Sequence, residues 1–116
     1  MTAPIHLADY EAAAAELLPQ MVYDYYAGGA HDEITLQENR AAFDRIQLRY
    51  RVLRDVSSRS LTTEVLGEEV SMPVLIAPTA FHQLATEEGE VATARAATRS
   101  GTIVTLSTLS TRAIED

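Results

Sequence analysis

Two short segments close the most apolar runs of this chain: Pro78-Thr79-Ala80 follows Val74–Ala77, and Ser107-Thr108 follows Thr102–Leu106. Pro78 has no N–H for a ladder, so it suits the end of a strand better than its middle. Between the two runs lies an Ala-rich helical pattern, and strand, helix, strand at this spacing predicts a βαβ unit with a parallel sheet. Ligands of such units bind at the carboxyl ends of the strands. Pro78, Thr79, Ala80 and Ser107 are therefore predicted to be two edges of one site. On the residues alone, the first segment is equally a plain strand terminus, and Ser107 is as readily a helix cap as a ligand contact.

Other side chains with chemical potential fit blander roles. His6, His31 and His82 have no metal-ligand spacing. His82 stands close to the predicted site, and a surface or supporting histidine describes it better than a base. Glu87, Glu88 and Glu90 are read as the acids of a helix start, where the dipole favours them. Gly28-Gly29 lacks the G-x-G-x-x-G pattern of a phosphate loop. Tyr25, near a predicted helix end, reads by itself as a half-buried core tyrosine. All nine basic residues are arginines, and Arg45, Arg49, Arg51 and Arg54 fall close together. With seventeen acids in the same chain, that cluster reads as a solvated face or a set of carboxylate partners.

The elements that must position these residues follow from periodicity. Leu7 to Leu18 has apolar residues at helical spacing and four consecutive alanines. Pro19 separates it from a second helix, Gln20 to Tyr26, stopped by Gly28-Gly29. Asp32 is the expected N-cap of a third, Glu33 to Asp44. Ile46 to Asp55 alternates loosely as an extended piece with one buried face. Ser57 to Ser60 is a loop, and Thr62 to Val70 a small hairpin turning near Gly67-Glu68. Thr86 is the expected cap of a helix beginning at Glu87-Glu88 and ended by Gly101. Thr111 to Asp116 reads as the first turns of another helix.

The 116 residues suit about one domain, and 47% hydrophobic content is too much for a disordered segment. No run approaches the roughly 18 apolar residues of a membrane span, and no secretory signal pattern opens the chain. A formal net charge of −8 argues against nucleic acid as a partner. The lack of cysteine excludes a disulfide framework and fits a cytoplasmic setting. Two buried parallel strands do not make a free-standing sheet. A flavodoxin-like domain needs about five strands, and a (β/α)8 barrel about 250 residues. The expected fold class is therefore α/β, the opening third of a TIM barrel. It comprises a helical leader over 1–45, an extended segment and hairpin over 46–71, and strand, helix, strand and a helix start over 72–116. The remainder is expected on a second polypeptide or a lost segment.

Several stretches together resemble the FMN-dependent α-hydroxy acid oxidases and dehydrogenases. They are Met21-Val-Tyr-Asp-Tyr-Tyr-Ala-Gly-Gly-Ala30, Thr35-Leu-Gln-Glu-Asn-Arg40, Met72-Pro-Val-Leu-Ile-Ala-Pro-Thr-Ala80, Glu88-Gly-Glu-Val-Ala-Thr-Ala-Arg-Ala-Ala97 and Thr105-Leu-Ser107. The resemblance runs from about Leu7 to the end and corresponds to the N-terminal third of that family. It implies that Tyr25 reaches the substrate carboxylate through its hydroxyl. It implies that Pro78, Thr79 and Ala80 lie against the flavin ring of FMN, and that Ser107 bonds the ring. The implied reaction is oxidation of an (S)-2-hydroxy acid to the 2-oxo acid, with O2 as acceptor giving H2O2. The cofactor carries that chemistry and the protein positions and tunes it. The family's catalytic His, its substrate-binding Arg and its flavin-side Lys would lie beyond residue 116, so no catalytic residue is expected in this chain, and the chain alone is expected to be inactive. Leu109 stands where plant glycolate oxidases carry a tryptophan, and Leu106–Thr111 looks more like bacterial lactate-oxidase-type members. Lactate is the first expected substrate, glycolate the second, an aromatic hydroxy acid the third. The resemblance also implies a homo-oligomer of tetramer type. Rival readings are a non-catalytic barrel fragment acting as a folding or assembly unit, another barrel flavoprotein, and a small flavodoxin-like domain.

Overall fold

The structure, a computed structural model, describes residues 4–115. The chain divides into two compact units, Met1–Arg54 and Asp55–Asp116.

The first unit is helical. Helix α1 (Leu7–Leu17) opens where the Asp9 carboxylate reaches back to accept the amides of Ile5 and His6 at 2.8 and 3.1 Å. Pro19 caps α2 (Gln20–Ala27), its carbonyl accepting from the Val22 and Tyr23 amides. Gly28 ends that helix by turning to extended backbone. Helix α3 (Ile34–Asp44) starts one residue later than predicted. Glu33, not Asp32, stands at its N-cap with φ +57°, and the Glu33 carboxylate accepts the Gly29 amide at 2.9 Å. Val22 is the buried residue of the unit. Ion pairs join Arg40 to Glu11 and Arg45 to Glu38. Ile46 to Asp55 forms no strand, and Leu48, Tyr50, Val52 and Leu53 are all exposed. The expected buried face is absent there, because no neighbouring strand supplies ladder partners.

The second unit begins with a hairpin, β1 (Thr63–Val65) against β2 (Glu68–Val70), paired antiparallel with Val65 opposite Glu68. Its two-residue turn is Leu66-Gly67, one residue earlier than predicted, with φ +55° and +84°. Positive φ at both central positions is the twist that closes such a turn. Val70 then enters the core.

The two apolar runs come together in parallel, Ile76 bridging to Val104. Around that bridge the Ser71 amide donates to Gly101 at 2.8 Å, the Ile76 amide to Ile103 at 2.9 Å and the Thr105 amide to Ile76 at 3.0 Å. The Thr102 hydroxyl adds a bond to the Val74 carbonyl.

Between the runs, a 3-10 turn (His82–Leu84) precedes α4 (Glu90–Arg99). The helix does not begin at Glu87-Glu88 with Thr86 as cap. Residues 86–89 make a turn closed by the Gly89 amide on the Thr86 carbonyl at 3.1 Å, and Gly89 takes φ +59°, ψ −138°, which no right-handed helix includes. Ala97, on the small-residue side of α4, is 2% exposed. Residues 111–115 bend and turn and are not helical, contrary to the predicted helix start. Among the described residues, no helix is long and apolar enough to cross a membrane.

Candidate functional site

The site is built where the parallel runs let go of each other. Beyond the Ile76–Val104 bridge, the next pairing is the Phe81 amide on the Leu109 carbonyl at 3.0 Å. The Ile76 amide reaches a carbonyl 27 residues on (76 to 103) and the Phe81 amide one 28 residues on (81 to 109), so the pairing slips by one residue between them. Between these two pairings lie Pro78–Ala80 on one segment and Leu106–Thr108 on the other. The two predicted edges thus follow directly on a bridged pair of segments.

Pro78 lacks an N–H, and the Thr79 amide has no hydrogen-bond partner among the described residues. Thr79 is exposed. Ser107 is half-buried, and its Oγ accepts the Leu109 amide at 3.1 Å while its carbonyl accepts the Ser110 amide at 3.1 Å. With a lone pair already engaged, the Ser107 O–H remains able to donate outward. One backbone N–H and one hydroxyl, each just past the end of one of the two bridged segments, are donors of the kind that hold a planar group carrying ring nitrogens and carbonyls on one edge. The donor set therefore fits the acceptor edge of a flavin.

Behind this edge lies a polar knot. Glu90, 6% exposed at the start of α4, accepts the His82 amide on Oε1 at 3.2 Å. The same oxygen accepts the Thr111 amide at 2.9 Å, and Oε2 accepts the Thr111 hydroxyl at 2.6 Å. The Thr111 Oγ1 in turn accepts the Gln83 amide at 3.2 Å. Burial alone would push the Glu90 carboxyl up, but the Thr111 hydroxyl and amide, its own amide and the His82 amide outweigh it and hold it at about 2. His82 is half-buried, with Nδ1 3.2 Å from the Thr93 hydroxyl of α4, a supporting contact rather than a base facing solvent. Sequence reading missed Glu90 by grouping it with Glu87 and Glu88. The available signal was Gly89, which separates them.

Tyr25 belongs to the first unit. It is 51% exposed on α2, its ring edge-on to Tyr26 with centroids 5.3 Å apart at 73°, so it is not the half-buried core tyrosine suggested by its position alone.

A family model described as FMN-dependent dehydrogenase matches residues 14–116. The chain belongs to the FMN-dependent dehydrogenase family. It is 57% identical over its whole length to an L-lactate oxidase of Nostoc sp., of which it spans 32%. It is 54% identical over 96% of its length to glycolate oxidase 1 of Zea mays, spanning 30% of that protein. Among solved structures it superposes on a soluble mutant of the membrane-associated (S)-mandelate dehydrogenase of Pseudomonas putida. The TM-score is 0.87 at 47% identity, over 94% of this chain and 31% of the other. The chain thus spans about a third of the length of these relatives. The cofactor of the family is FMN.

Proposed function

We propose that this chain supplies the first flavin-holding edge and part of the substrate pocket of an FMN-dependent (S)-2-hydroxy acid oxidase, built as a (β/α)8 barrel. The observation that supports the reading is the parallel Ile76–Val104 bridge, which joins the two runs that lead into the unpartnered Thr79 amide and the Ser107 hydroxyl.

When bound, FMN would supply the redox chemistry, as acceptor of the hydride equivalent (two electrons and one proton) lost from the α-carbon, while the hydroxyl proton would pass to a base outside this chain and O2 would be the final acceptor, giving H2O2. The chain's own residues hold and orient. Pro78 ends the ladder, so that the Thr79 amide lies open to the ring, with Ala80 following it against the ring. The Thr79 amide and the Ser107 hydroxyl donate to the acceptor edge of the flavin. Tyr25 donates its phenolic proton to the substrate carboxylate. Leu109, 52% exposed, leaves room beside a small hydroxy acid. The identity to an L-lactate oxidase supports lactate as first substrate, with glycolate second and an aromatic hydroxy acid third. The working assembly is read as a cytoplasmic homo-oligomer.

An absorption spectrum and a denaturing gel of one purified sample test this. Flavin bands, a polypeptide long enough to complete the barrel and turnover of lactate support the reading. In such a protein Tyr25→Phe raises KM for lactate by roughly tenfold, the loss of a charge-assisted hydrogen bond.

A second reading has one observation in its favour. Val22, Val70 and Ala97 are the buried apolar residues among those described, while Leu53, Leu66, Tyr50 and many others are exposed. A non-catalytic unit that buries these surfaces by assembly accounts for this, and predicts a colourless sample with one band at the mass of this chain.

A further inference from the structure

We infer that Glu90 is the positioning residue of the flavin edge, its carboxylate tying together the two loops that carry Pro78–Ala80 and Ser107. The inference rests on the proposed flavin role of those loops. The tie itself rests on geometry alone.

The first loop continues from Ala80 through Phe81 into the 3-10 turn, and Glu90 takes the His82 amide there at 3.2 Å. The second continues from Ser107 through Leu109 and Ser110, and Glu90 takes Thr111 by both amide and hydroxyl, at 2.9 and 2.6 Å. Thr111 also accepts the Gln83 amide at 3.2 Å, so each loop bonds the other as well as the carboxylate. The Phe81 amide on the Leu109 carbonyl, at 3.0 Å, lies between this knot and the ligand edge. Beyond the Ile76–Val104 bridge the loops have no sheet to hold them, and this knot closes the far side of the gap. Thr79 and Ser107 are thereby clamped between two cross-links.

The site is also close-packed. Gly89 is buried next to Glu90, and a Cβ there would meet the Gln83 Cγ at 2.7 Å and the Thr111 Oγ1 at 3.3 Å. The backbone at the start of α4 thus approaches both loops as closely as a glycine permits. A carboxylate suits the task because its two oxygens accept three donors at once, and it is itself held by the N-terminal end of α4. Glutamine keeps one acceptor and presents an NH2 where the Thr111 hydroxyl needs an acceptor, so it holds part of the knot.

The test uses the full-length protein that carries this chain, with FMN itself as probe. Binding is followed by quenching of flavin fluorescence and by the visible spectrum of the bound flavin. Glu90→Ala and Thr111→Val are expected to weaken FMN binding about tenfold and to shift the flavin bands, with Glu90→Gln in between. Variants that keep the wild-type helical signal yet bind FMN with unchanged affinity and spectrum overturn the proposal. If Glu90→Ala does not fold, Thr111→Val, which preserves side-chain shape, decides. Amide hydrogen exchange without flavin separates the tie from the flavin reading. Faster exchange at His82 and Gln83 in Thr111→Val supports the tie, and unchanged exchange overturns it. A wild-type protein that takes up no FMN overturns the flavin role of the loops, and with it the positioning role, whatever the exchange shows.

Discussion

Ile76 and Val104 stand opposite each other in a parallel bridge, and both site loops begin just beyond that pairing. The Ile76 amide donates to Ile103 and the Thr105 amide to Ile76, at 2.9 and 3.0 Å. The Thr79 amide, three residues further on, has no partner among the described residues. In hydrogen exchange the amides of Ile76 and Thr105 should be protected roughly tenfold or more over that of Thr79 in the flavin-free protein. Equal rates would mean that the bridge does not persist. Addition of FMN should slow Thr79 selectively.

Glu90 makes stability depend on acid in a defined direction. Its carboxyl sits at about 2, against an ordinary value of 4.5. A lowered folded-state pKa contributes stability that is complete above the unfolded value and is lost as pH falls towards the folded one. The urea midpoint of the wild-type protein should therefore exceed that of Glu90→Gln by a constant margin above about pH 5 and lose that margin between about pH 4.5 and pH 2. A margin independent of pH over that interval would show that the carboxylate is not the species held.

Gly89 should not tolerate a side chain. Its φ of +59° with ψ −138° is strained for an L residue, and the added Cβ would crowd Gln83 and Thr111. Gly89→Ala is expected to cost about 1–3 kcal/mol by thermal or urea unfolding. By contrast, at Gly67 a Cβ meets nothing within 4 Å, so Gly67→Asn, a residue at ease with positive φ, should cost well under about 1 kcal/mol.

Ser107→Ala removes the outward donor and the acceptor of the Leu109 amide together. Leu109 is exposed enough for water to replace that acceptor, so the fold should be retained. Fluorescence titration should show FMN bound roughly three- to tenfold more weakly, the effect of one neutral hydrogen bond. Unchanged affinity with an intact fold would remove Ser107 from the flavin edge.

Much of this arrangement is local and was therefore visible in the chain itself. Alanine runs and Pro19 set helices α1 and α2, Gly67 marks the hairpin turn, and Pro78 ends the first apolar run, each through constraints that act within a few residues. The two proposed edges of the candidate site are local features of the same kind, since both lie where an apolar run stops. The roles of Glu33 and Glu90 were not visible in the chain. Glu90 follows Gly89 directly and Glu33 stands four residues after Gly29, and which amides they accept depends on how the backbone turns. The late start of α4 was hidden because any of three acids within four residues satisfies a helix start equally well, and the close approach of Gln83 and Thr111 to Gly89 fixes where the helix begins. Ile46 to Asp55 alternates like a strand but finds no partner, since a strand needs donors and acceptors from elsewhere in the fold. The Ile76–Val104 bridge and the Glu90–Thr111 bonds join residues 28 and 21 apart in the chain. Such contacts follow from packing and hydrogen-bond closure across the fold, which no local pattern encodes.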